Sequence, residues 1–151
     1  MMTKVFIASD HAGFELKNIV VMALKAEFDI HDLGPFDTAS VDYPDFANLV
    51  CAQIKPQIDS SALSEFGILI CGSGQGMALR ANKFPHIRAA LVYSDEISSL
   101  SREHNNANVI CLASRFCTLE QALKWIDIFK NTPFAGGRHQ TRVAKVSAPI
   151  S

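Results

Sequence analysis

The sequence predicts one α/β domain of the Rossmann-like kind: a doubly wound, five-stranded parallel sheet with helices on both faces. Three observations predict it. Short, nearly continuous apolar runs of strand length alternate with longer stretches whose apolar residues recur every three or four positions. Strands that are apolar on both sides need cover on both sides, which right-handed crossover helices supply. The 151 residues suit a single domain over 1–151, and no internal repeat or low-complexity stretch divides them.

Val5–Ser9 is the first strand. After it Leu16, Ile19, Val20, Ala23 and Leu24 mark the inward face of a helix from about Gly13 to Glu27. Ile30–Leu33 is a weak second strand, stopped by Gly34 and Pro35. Asp42 can cap the next helix and Pro44 suits its first turn, with Ala47, Val50, Cys51 and Ile54 facing inward. Pro56–Ser64 carries turn formers without periodicity and reads as a surface loop. Phe66–Cys71 is the clearest strand, followed by the glycine-rich Gly72–Gly76 and a helix through about Asn82. Arg88–Tyr93 is the fourth strand. Ser94 caps a helix carrying Ile97, Leu100 and His104, with Asp95 and Glu96 in its first turn. Val109–Ala113 is the fifth strand, and Leu119, Ala122, Leu123, Ile126 and Phe129 define the last long helix before Pro133. A tail from about 133 follows.

Charge narrows the function. Lys and Arg number 14 against 15 Asp and Glu, a net charge of −1, without the basic excess that phosphate-backbone binding requires. The longest apolar run, Ile19–Leu24, falls far short of the ~18 residues a membrane span needs. Cys51, Cys71, Cys111 and Cys117 form no CxxC and no ligand-like pairing with histidine, so free thiols in a reducing compartment are expected, with no metal. Met1–Lys4 runs straight into a strand without the order of a signal peptide. The expectation is a cytoplasmic protein acting on a small molecule.

In a doubly wound sheet ligands sit beyond the carboxyl ends of the strands. Ser9-Asp10-His11, Cys71–Gly76 and Ser94-Asp95 should then share one crevice. Cys71-Gly72-Ser73-Gly74-Gln75-Gly76 reads in two ways: a nest of backbone N–H groups for an anion, or a tight turn of small residues. Cys71 is either a packing thiol or, at a strand end facing a helix N-terminus, a reactive one. The other three cysteines read as core. Asp10 caps a helix or joins His11 in the crevice; His104 either meets a helix dipole or reaches a ligand. Arg138 and Arg142, four residues apart, form a solvated patch or a phosphate clamp. His31 and His86 lack polar company and read as surface or strand-end residues.

Taken in order, the motifs resemble the ribose-5-phosphate isomerase B type, within a family that also holds galactose-6-phosphate isomerase subunits. They are Ser9-Asp10-His11-Ala-Gly13-Phe14-Glu-Leu-Lys17, Asp42-Tyr43-Pro44, the Cys71–Gly76 loop, Ala81-Asn82-Lys83, Arg88-Ala89, Ser101-Arg-Glu-His104-Asn105, Asn108-Val109, Ser114-Arg115 and Gly136-Gly-Arg138-His-Gln-Thr-Arg142. The resemblance implies aldose–ketose isomerisation of a sugar phosphate through an enediolate, in the pentose phosphate pathway and with no cofactor. By the same resemblance Cys71 moves the carbon-bound proton, the Gly72–Gly76 backbone (Gly72, Gly74, Gln75 and Gly76) forms the anion hole, and Ser73 helps move the proton between oxygens. His104 opens the furanose ring with Asp10 assisting. His11, Arg138 and Arg142 match phosphate ligands; Tyr43, Asn105 and Arg115 match substrate contacts.

Some relatives replace the cysteine by glycine and use a carboxylate further along the loop. Met77 stands in that stretch here, so this chain looks like the cysteine type. The Pro56–Glu65 connection is longer than the family pattern and is expected on the far side of the sheet from the site. The family's sites lie between subunits, implying a homodimer or tetramer in which the tail contributes to a site; ten phenylalanines against two tyrosines also suggest apolar contact beyond one small core. Two alternatives stand beside ribose 5-phosphate: a six-carbon phosphate such as allose 6-phosphate or galactose 6-phosphate, and a sugar-phosphate binding module without catalysis.

Overall fold

The computed structural model describes residues 1–57 and 61–151. Strands β1 (Lys4–Ser9), β2 (Asp29–Asp32), β3 (Glu65–Cys71), β4 (Ala89–Leu91) and β5 (Val109–Ala113) form one sheet in the order β2-β1-β3-β5-β4. Every neighbouring pair is parallel. Between and after them run α1 (Phe14–Leu24), α2 (Tyr43–Gln53), α3 (Gln75–Ala81), α4 (Asp95–Glu103), α5 (Leu119–Asn131) and α6 (His139–Ser147).

Side-chain alternation along the strands splits the interior into two cores. On one face Val5, Ile7, Phe66, Ile68, Ile70, Ile110 and Leu112 meet Val20 and Leu24 of α1 and Trp125, Ile126 and Phe129 of α5. On the other, Phe6, Ala8, Leu69, Cys71 and Cys111 meet Ala47, Val50 and Cys51 of α2 and Met77 and Ala81 of α3. Phe66 is gripped between Phe28, edge-on at 5.9 Å, and Phe129 at 5.7 Å, each pair adding about 0.5–1.5 kcal/mol beyond burial alone. The chain leaves β1 for the first face and leaves the neighbouring β3 for the second. That divergence opens a crevice beyond the carboxyl ends of these two strands.

Several boundaries differ from the sequence reading. α1 ends at Leu24 rather than Glu27, because Phe28 turns into the core and its N–H closes a turn on Leu24. β2 starts one residue earlier than expected, and β4 is shorter, although the Val92 N–H still bonds the Cys111 carbonyl. Asp42 stands at the N-cap of α2, yet it is its carbonyl, not its carboxylate, that accepts from Asp45 N–H (3.2 Å). Within the tail, His139–Ser147 form a helix. Of the Pro56–Ser64 loop, residues 58–60 lie outside the described residues. Leu63 is not at the surface: it is buried in the first core.

Arg102, in α4, is wholly buried. Burial, with Arg88 adding, pushes its guanidinium down to about 10. It donates to the carbonyls of Ser61 (3.0 Å), Thr132 (3.2 Å) and Ala107 and to Asn106 Oδ1 (2.9 Å), and lies over the Phe129 ring. Carbonyls at the ends of α4 and α5 carry the negative pole of those helices, so the cation is satisfied without a carboxylate. Phe134 N–H joins the same Ser61 carbonyl and Ala135 N–H the Glu103 carbonyl. The end of α4 and the start of the tail are thereby pinned together at the amino edge of the sheet.

Candidate active site

Cys71 ends β3, the most buried strand, and is itself only 4% exposed. It lines a cavity of about 430 Å³ together with Asp10, His11, Ala12, Tyr43, Gly72, Ser73, Gln75, Gly76, Leu79 and Arg115. The loops after β1 and β3 thus meet as the topology requires. Ser94 and Asp95 do not join them. β5 lies between β3 and β4, so these two residues line a separate depression with Tyr93, Thr118, Lys124 and Trp125. There the Ser94 Oγ caps α4, and Asp95 pairs with Lys124 (2.7 Å) and accepts from the Trp125 indole (2.9 Å).

Asp10 does the local work its position suggests and keeps an oxygen to spare. Its N–H donates to the Ile70 carbonyl (3.1 Å), and its Oδ1 accepts from Gly13 N–H (2.9 Å) at the entry to α1. Among the described residues its second oxygen has no partner. His11 Nδ1 accepts from Val41 N–H (3.2 Å), which leaves the proton on Nε2 as a donor.

The glycine loop is shaped by what lies on it. Ser114 N–H donates to the Cys71 carbonyl (2.9 Å) and Arg115 N–H to the Gly72 carbonyl (3.1 Å), extending the β3–β5 pairing. This sets the Arg115 guanidinium so close over Gly72 that an added Cβ there would fall 3.1 Å from its Cζ. Tyr43, in the first turn of α2, lies on Gly76, where a Cβ would fall 2.5 Å from the ring. Gly74 adopts a left-handed φ of +74° and caps α3 without lining the cavity; Ser73 Oγ accepts from Gln75 N–H (3.3 Å). Met77 is fully buried in the second core, and no carboxylate occurs between Gly72 and Leu79.

The other thiols sit in a different setting. Burial pushes Cys51 up to about 12, against the pull of Arg80, and raises Cys111 and Cys117 as well. Cys51 and Cys111 lie in the core, whereas Cys117, expected there too, is only partly buried. Ala12 and Leu79 line the cavity and were not singled out from sequence. Leu79 stands one helical turn after Gln75, so its place on the open face of α3 was within reach of the helical period.

His104, Asn105, Arg138 and Arg142 are brought together, but elsewhere. His104 is the C-cap of α4, a helix that returns from the carboxyl to the amino edge of the sheet. The seven residues of β3 separate the two edges by roughly 20 Å. The His104 ring stacks on His139 at 4.2 Å, beside exposed Arg138 and Arg142 at the start of α6. One chain therefore carries two half-constellations at opposite ends of its sheet.

Comparison with known proteins places the chain in a family. The model of the ribose/galactose isomerase family matches residues 5–146. Ribose-5-phosphate isomerase B of Escherichia coli K12 is 36% identical over 149 residues, covering 97% of this chain and 96% of that protein. The crystal structure of ribose-5-phosphate isomerase B from Mycoplasma genitalium with bound ribulose-5-phosphate matches at a TM-score of 0.89 and 46% identity, over 97% of this chain and 95% of that one. A ribose 5-phosphate isomerase from Thermotoga maritima matches at 0.88 and 41% identity, over 96% and 97%.

Proposed function

The chain belongs to the ribose/galactose isomerase family and is an isomerase, and from that premise we propose that it interconverts ribose 5-phosphate and ribulose 5-phosphate through an enediolate, with Cys71 as the carbon base. The observation that carries the reading is Cys71 at the floor of the crevice, ringed by Gly72, Ser73, Gln75 and Gly76 under the Arg115 guanidinium. Removing a proton beside a carbonyl needs a base and donors aimed at the oxygen on which charge develops. The loop amides and Arg115 supply the donors, and they are also the positive neighbours a thiolate needs.

The furanose opens first: His104 delivers a proton to the ring oxygen as the C1–O4 bond breaks, and Asp10 assists at the anomeric hydroxyl. Cys71 then takes the C2 proton, Ser73 helps carry the hydroxyl proton from O2 to O1, and Cys71 returns its proton to C1. His11, presenting Nε2–H, holds the phosphate with Arg138 and Arg142, while Tyr43, Asn105 and Arg115 contact the sugar. Gly72, Gln75 and Gly76 shape the anion hole, and Gly74 supplies the turn that carries them.

Because His104, Asn105 and the two arginines lie at the far edge of the sheet, they serve the crevice of a second copy. The active form is then at least a dimer. Leu49 and Leu79, exposed on the adjoining α2 and α3, offer apolar surface beside the crevice for that contact. A fully active monomer in sedimentation at assay concentration would contradict it.

Assay of the purified protein on five- and six-carbon aldose phosphates tests the substrate. Ribose 5-phosphate should give at least about tenfold higher kcat/KM than allose 6-phosphate or galactose 6-phosphate. The reverse order would move the reading to the six-carbon sugar. Arg138→Ala or Arg142→Ala should raise KM by about tenfold or more, as one charged contact of ~1.5–3 kcal/mol is lost, with little change in stability. Unchanged KM in both variants would return these residues to a solvated patch.

A further inference from the structure

A histidine that passes a proton must present one ring nitrogen along a fixed line, and that line is commonly set by a carboxylate or carbonyl on the other nitrogen. Among the described residues neither ring nitrogen of His104 has such a partner. What the ring does have is a face-to-face neighbour: His139, 4.2 Å away and inclined by only 16°. Building on the reading of His104 as the ring-opening group, we infer that His139 is a positioning residue that sets the plane of the His104 ring.

The stack is held from both sides. His104 closes α4, its N–H bonded to the Leu100 carbonyl (2.9 Å). Ala135 N–H bonds the Glu103 carbonyl (3.0 Å), tying the tail to α4 one residue before His104. Gly136 and Gly137, with φ of +66° and +54°, then turn the chain so that His139 opens α6 over that end. The buried Arg102 guanidinium bonds the segment just after His104 and the end of α5 at once. Stacking covers a ring face and leaves both nitrogens at the edge free for substrate oxygens.

Charged groups surround the stack. Glu103 faces it from α4, and Arg138 and Arg142 face it from the tail. Partial burial, then His104 and the two guanidinium groups, hold His139 below the ordinary histidine range against the pull of Glu103. These neighbours disfavour a charge on His139. Two imidazolium rings in contact would repel.

The test compares full-length His139→Ala, His139→Phe and His104→Ala. Two rates are measured: turnover of ribose 5-phosphate, and solvent exchange of the C1 proton of ribulose 5-phosphate, an enolisation that involves no ring step. His139→Ala should lose ~10–100-fold in kcat on ribose 5-phosphate while KM and exchange stay within about threefold. His139→Phe keeps the stack and should recover most of the loss. A raised KM with normal kcat, equal loss of exchange, or a phenylalanine variant as poor as the alanine one would overturn the inference. The underlying reading fails separately, if the wild type does not turn over ribose 5-phosphate or if His104→Ala loses exchange as fully as turnover. Where His104→Ala behaves as read and His139→Ala keeps the wild-type kcat, the inference alone is wrong.

Discussion

Cys71→Ser is expected to fold, to bind substrate with nearly unchanged affinity, and to lose about 10²–10⁴-fold in kcat. Serine keeps the volume at a 4% exposed position in the second core, so the packing around Met77 and Ala81 is preserved. What goes is the proposed base, because a hydroxyl gives up its proton far less readily than a thiol. Among the described residues Asp10 is the one carboxylate lining the cavity, and Gly13 N–H already holds one of its oxygens. Mild alkylation should inactivate the protein with one label, at Cys71, and substrate should protect it. Cys51, Cys111 and Cys117, held as thiols by burial, should react slowly. Steady-state kinetics decide the point: a serine variant that keeps most of its kcat makes Cys71 a packing residue.

His104→Ala should be crippled on closed sugars and nearly competent on open ones. Ring opening needs a proton delivered to the ring oxygen, a service worth roughly 10²–10⁴-fold. An aldose phosphate lacking the 4-hydroxyl cannot close a furanose, so it bypasses that step. The ratio of the two activities should therefore shift by about 10²-fold or more in the variant. Equal loss on both substrates would assign His104 to holding the tail or a subunit contact instead.

Much of the architecture was legible from local pattern. Strand and helix alternation carried the sheet, and the glycine loop after Phe66–Cys71 carried the crevice, because both are written in consecutive residues. Misplacements arose where distant segments decide. Ser94 and Asp95 were assigned to the crevice on the rule that ligands sit at strand ends. The order β2-β1-β3-β5-β4 puts β5 in the way, and nothing local to Ser94 announces that order. Why Gly72 and Gly76 must be glycine is written at Arg115 and Tyr43, the side chains that lie on them. The helix after Arg138 stayed hidden because its burial is confined to Val143, too little for an apolar period to show. Leu63 stands among polar, turn-forming neighbours, and a single residue plugging a core leaves no periodic trace.

On the proposed function, the crevice holding Cys71 is completed by His104 of another copy. Mixing Cys71→Ser and His104→Ala chains after joint unfolding and refolding tests it directly. Each variant alone is nearly inactive on ribose 5-phosphate. In a mixed dimer one crevice receives Cys71 from one chain and His104 from the other, while the second receives both substitutions. Random pairing of equal amounts makes half the dimers mixed, so activity should recover to about one quarter of wild type, a rise of roughly 25- to 2,500-fold over parents that have lost ~10²–10⁴-fold. A mixture no more active than the average of its parents would show that each chain completes its own site.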